Sequence, residues 1–139
     1  MWYSEHSLSD ISLLRLPVEI TRLLLDAGAN PNHYLESTPL CLAARNGNTE
    51  ITKMLLDAGA DVNEEMEDNY RCVMKAAYFG HLEIVKMLVE AGAEIDTWSQ
   101  SVTALSLAAI NRHRKVYDYL YPLTSEEIRQ HCNEAVDFN

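Results

Sequence analysis

The sequence is poor in several things, and each shortage excludes a class of protein. It has five glycines in 139 residues and neither a GxGxxG nor a GxxxxGK[ST] pattern, so no phosphate-cradling loop is expected. Basic side chains are scarce: 11 lysines and arginines face 21 aspartates and glutamates, a formal charge of −10. A nucleic-acid backbone or an anionic membrane needs positive charge on the contact face, so neither is expected as a partner. No apolar run approaches the ~18 residues needed to span a bilayer. The start, MWYSEHSLSD, has neither the basic head nor the apolar stretch of a secretory leader. Cys41, Cys72 and Cys132 are odd in number and lack CxxC spacing. A disulfide scaffold is therefore not expected, and the cysteines read as buried or half-buried thiols in a reducing, cytoplasmic setting.

Catalytic and metal-binding patterns are thin as well. The five histidines, at 6, 33, 81, 113 and 131, never fall at the i, i+4 spacing that places two ligands on one helix face. Neither a metal nor another cofactor is expected. Cys41 sits in an apolar stripe, Cys72 at the proline position of a helix start and Cys132 on an inward face, so buried thiols are preferred to a nucleophile assembled in space. The acidic pairs Glu64–Glu65 and Glu126–Glu127 lack the alternating oxygens and loop glycine of a calcium site. Catalysis is not expected.

What the chain does have is repetition. LLLDAGANPN (23–32), MLLDAGADVN (54–63) and MLVEAGAEID (87–96) superpose, their starts separated by 31 and then 33 residues. EIT or EIV precedes each, and alanine pairs recur at Ala43–Ala44, Ala76–Ala77 and Ala108–Ala109. A period of this size marks a stacked array. In TPLCLAARNG (38–47), Thr38 suits an N-cap, Pro39 the first helical position, and Leu40, Ala43 and Ala44 an inward stripe. Gly47 ends that helix. EITKMLLDA (50–58) follows as a second helix with Ile51, Leu55 and Leu56 inward, closed by Gly59. Such a unit buries its stripe only by stacking on its neighbours. His81 and His113 occupy equivalent positions after successive first helices, which favours a turn-building role.

This pattern resembles the ankyrin repeat family. TPLCLAA (38–44) is similar to that family's T-P-L-H-x-A core, and DAGADVN and EAGAEID resemble its second-helix close. The resemblance covers roughly residues 7 to 121. It implies an all-α solenoid whose loops project as hairpin-like fingers beside a concave, partner-binding face. Four units are read, at about 4–32, 37–63, 70–96 and 102–121, in a single domain. A C-terminal cap helix at about 124–136 opens with Thr124 and Glu127 as a possible capping box. The first unit, without the alanine pair, reads as the N-terminal cap. Counted between units, the fingers have 6, 8 and 7 residues, so the middle one should reach furthest. LLDAGADVN (55–63) also resembles the pattern at which ankyrin asparagines are hydroxylated, which would place that modification on Asn63. A plain turn asparagine is the preferred reading.

The third unit departs most from the pattern. Arg71, Cys72 and Met74 replace the threonine, proline and histidine, Met66 replaces the finger aspartate and Asn69 a glycine, while Ala76, Ala77 and Gly80 remain. By the geometry the resemblance implies, Ser37, Arg45 and Asn46 of unit two line the groove. So do Glu65, Glu67, Asp68, Tyr70, Tyr78 and Phe79 of unit three, and Val102, Ile110 and Asn111 of unit four, with Trp98 extending the aromatic cluster. Aromatics ringed by charge have the make-up of a binding hot spot. The expected function is a non-enzymatic adaptor or inhibitor, monomeric when unbound, that binds a protein with a basic surface or segment. The alternative is a structural array that self-associates through its end helices.

Overall fold

The computed structural model of the protein describes residues 22–23, 25–28, 38–66 and 68–135. Most of unit one, the first finger with Ser37, Glu67 and the end of the cap beyond Ala135 lie outside the described residues. Among those described, the fold is all-α, with seven helices and one isolated antiparallel bridge, Ser99–Val102. The helices are α1 (Pro39–Asn46), α2 (Thr49–Asp57), α3 (Cys72–Phe79), α4 (Leu82–Glu90), α5 (Ala104–Ile110), α6 (Arg114–Leu120) and α7 (Glu126–Ala135). A 3₁₀ turn, Tyr121–Leu123, bends the chain at Pro122 between α6 and α7.

Consecutive helices pair, and the pairs stack. One layer runs α1, α3, α5 and ends on α7; the other runs α2, α4, α6. The alanine pairs make the close approach of the first layer possible, and all six alanines are at most 3 % exposed. Leu40, Val73, Met74 and Leu105 fill the space between these helices, and Leu55, Ile84, Leu88, Val116 and Leu120 come from the second layer. Ile128 and Cys132 close the end as an inward face of the cap helix. No single pair could bury this surface alone, so each helix owes its stability to its neighbours.

The turn inside each unit is built the same way twice. Gly47 and Gly80 adopt left-handed conformations with φ of 75° and 77°. The imidazole of the next unit lies directly above each: His81 Nε2 meets the Arg45 carbonyl at 3.0 Å, and His113 Nε2 meets the Tyr78 carbonyl at 2.9 Å. A Cβ at Gly47 would fall 2.6 Å from His81 Cε1, and one at Gly80 would fall 2.4 Å from His113 Nδ1. Glycine is therefore needed both for its backbone angle and for this contact. The two histidines do build turns, each by joining the first helix of the preceding unit.

The units also interlock at their ends. The Asn63 amide donates to the Gly92 carbonyl at 3.1 Å and accepts from the Glu94 N–H at 2.8 Å. At the equivalent place one unit on, the Asp96 carboxylate accepts the Ser125 N–H ahead of α7. Both ends of the Asn63 side chain thus hold turns together.

Three expectations are corrected. Cys41 and Cys72 are not thiols: they form a disulfide, with Cα atoms 4.4 Å apart, and only Cys132 is free. The stacking of α1 on α3 brings their opening turns face to face, a meeting that neither cysteine parity nor spacing encodes. Thr124 and Glu127 do not open α7 as a capping box. The Thr124 hydroxyl donates to the Tyr121 carbonyl at 3.0 Å because the 3₁₀ turn needs it, and the helix begins two residues later. The fingers are only partly hairpin-like. Ser99 and Val102 exchange both backbone bonds in the last, whereas the middle one closes through Met66 N–H to the Tyr70 carbonyl and Asn69 N–H to the Met66 carbonyl. Asn69 takes φ of 61° there, the left-handed role foreseen for it, and Met66 is buried where the family pattern has an aspartate.

Candidate functional site

α3 starts without a side-chain cap. Thr38 accepts the Cys41 N–H for α1 and Thr103 forms a full capping box with Ser106 for α5, but Arg71 offers α3 no such bond. The Arg71 guanidinium instead pairs with Glu94 at 2.6 Å. Lys75, one turn into α3, reaches back to Asp68 at 2.5 Å and lies 4.8 Å from the centre of the Tyr70 ring. Partial burial opposes charge on Asp68, yet the Lys75 ammonium and the Tyr70 N–H outweigh it and hold this carboxyl below its ordinary range. The acidic finger is therefore partly neutralised from within. Glu64 and Glu65 form no ion pair among the described residues, and they carry the remaining negative field.

The other end of α3 is apolar and open. Tyr78 is 44 % and Phe79 42 % exposed, their rings edge to face with centroids 4.8 Å apart. Phe79 is flanked by His81, stacked at 6.4 Å, and by the Arg45 guanidinium at 5.8 Å. Counting on from each alanine pair, Arg45, Tyr78 and Ile110 occupy one row across α1, α3 and α5, and Asn46, Phe79 and Asn111 the next. Ile110 is the most open of these large apolar side chains, at 59 %. The structure thus brings Arg45, Tyr78, Phe79 and Ile110 to one exposed face.

The remaining candidates fall elsewhere. Asn46 is exposed at the end of α1, and Asn111 spends its amide on the Leu107 carbonyl at 2.8 Å to close α5. Tyr70 is half-buried against the core. Glu65 and Asp68 are exposed on the finger; Glu67 lies outside the described residues. Trp98 turns toward the cap helix, its ring edge-on to His131 at 4.9 Å. Val102 is half-buried at the last finger bridge. Lys75 was missed in the sequence; its signal was a lone lysine one turn into the helix that follows an acidic loop. Among the described residues no cluster of three His, Cys, Asp or Glu side chains is placed to hold a metal, and no helix is long and apolar enough to cross a membrane.

Against known proteins, a family model described as ankyrin repeats (3 copies) matches residues 15–98 and 65–133. No curated protein matches the chain.

Proposed function

The chain belongs to the ankyrin repeat family, and from that premise we propose that it is an adaptor or inhibitor that binds one protein through the face around α3. Ankyrin repeats generally mediate protein–protein interaction, and the family is generally non-enzymatic. The observation that carries the placement is the pair Tyr78 and Phe79, adjacent, mutually packed and open, with Ile110 on the next helix. Aromatic side chains bury much area at little entropic cost, and clustered exposure of this kind marks interaction surfaces.

The two ends of α3 ask different things of a partner. Seven helical rises, about 10 Å, separate Cys72 from Phe79, so a partner that meets both ends offers basic groups and apolar anchors at about that distance. An extended segment covers it in about three residues. The basic groups would meet Glu64 and Glu65 and quicken encounter, while the anchors would pack on Tyr78, Phe79 and Ile110. Unbound, the chain would be a monomer in the cytoplasm.

The test is a titration of the partner recovered from the native cell against the wild type and the Tyr78→Ala/Phe79→Ala variant. A loss of about 2 kcal/mol, roughly 30-fold in Kd, is expected of a hot-spot pair. Equal affinity with an intact fold would remove the face from consideration. A self-associating array would instead appear in light scattering as a stable dimer.

A further inference from the structure

Cys41 lies in the first turn of α1, Cys72 is the first residue of α3, and the disulfide between them crosses the stacking interface of two units. It stands where something is missing: Thr38 and Thr103 cap α1 and α5, but α3 has no side-chain cap. The sulfur bond holds the start of α3 to the capped start of α1, and the Thr38 hydroxyl is 3.9 Å from Cys72 Sγ. Leu40, Val73, Met74 and Leu105 pack between the same helices, so the bond is not the sole link between α1 and α3. Cys132 cannot exchange with it readily. That thiol is buried in α7, which packs on α5, and burial pushes its pKa up.

We infer that Cys41 and Cys72 are a thiol–disulfide modification site, read by a small or protein-borne dithiol, whose state sets how firmly the start of α3 and the middle finger are held. In reduction, one thiolate of the dithiol attacks a sulfur of the pair, the Cys41–Cys72 bond breaks and a mixed disulfide forms. The second thiolate then closes the reductant's own disulfide. Two electrons and two protons have passed to the pair, which leaves as two thiols. Cys41 and Cys72 are 2 % and 0 % exposed, so exchange proceeds through local opening of the first turn of α3. The partners are 31 residues apart in sequence. By the chain-entropy account of a loop this long, the oxidised form melts roughly 10 °C above the reduced one. None of this depends on whether the face around Tyr78 and Phe79 binds a partner.

The test uses the full chain equilibrated with glutathione disulfide or with excess dithiothreitol. Alkylation after denaturation, read by mass spectrometry, is expected to give one adduct in the first case and three in the second. Hydrogen exchange across residues 66–76 is expected to quicken at least tenfold on reduction, with the fall in Tm. Three adducts after equilibration with glutathione disulfide would overturn the inference. So would a cleanly formed disulfide that moves neither Tm nor exchange. The Cys72→Ala variant should melt like the reduced form and ignore dithiothreitol; a response that persists in it would place the effect elsewhere and also overturn the inference. If that variant does not fold, the two forms of the wild type still decide.

Discussion

α3 and α5 hold equivalent places in consecutive units and are buried to the same depth, but their ends are made differently. α5 begins with a reciprocal Thr103–Ser106 box and closes on Asn111, followed by Arg112, a non-glycine in a left-handed conformation. α3 begins with an uncapped Arg71 beside a disulfide and ends on Gly80 beneath a histidine. Between those ends both present a fully buried alanine pair to the stack. Burial between neighbours fixes where a helix lies in an array, so the ends and the outward positions are free to vary. In α3 that freedom is taken up by charge at one end and aromatic rings at the other.

The comparison breaks first if the two helices are not equal in the core. Met74→Ala and Leu105→Ala each empty a site that is at most 1 % exposed and should each cost about 2–5 kcal/mol in urea unfolding. A cost below about 1 kcal/mol for Met74 alone would mean that α3 is loosely held. Next come the turn residues. Gly80→Ala puts a Cβ against His113 at positive φ and should cost about 2–3 kcal/mol, whereas Gly59→Ala, with nothing within 4 Å, should cost only about 1. Arg112, at φ of 60°, should behave in the opposite sense, Arg112→Gly gaining up to about 1 kcal/mol.

The helix starts are expected to matter less. Thr103→Ala removes a working cap and should lose about 1–2 kcal/mol, while Arg71→Thr installs one and should gain about 0.5–1. No gain from Arg71→Thr would mean that the disulfide already orders the first turn. The smallest effect concerns Asp68. Its carboxyl is held below the ordinary value in the fold, so its charge stabilises above the unfolded carboxylate range, and that share is lost as pH falls through the lowered value. Asp68→Asn should flatten the acid limb of a pH–stability curve by less than about 1 kcal/mol, because the pair with Lys75 is half-exposed.

Much of the solenoid was legible because packing and chain reversal leave periodic marks. Ala76–Ala77, Gly80 and His113 recur at the unit spacing for reasons that act within one unit or on its immediate neighbour. Cys41 and Cys72 leave no such mark. They are out of register with each other in the repeat, one in the proline position and the other in the histidine position, and only the offset of stacked helices brings them together. Lys75 was hidden for a related reason: a long side chain reaching back over its own finger pairs with Asp68, which lies in the loop before the helix. Trp98 was misjudged in its neighbour, since the cap helix supplies His131 from a part of the chain with no counterpart in the repeat.

In the proposed function a partner docks at the open end of α3. The most direct test places a photo-crosslinking phenylalanine at position 79 and, in a second chain, at the exposed Glu83 of α4, with irradiation in extracts of the native cell. Docking at that end predicts a single protein adduct from position 79, competed away by unmodified chain, and none from position 83. Equal labelling at both positions, or an adduct from 83 alone, would contradict it.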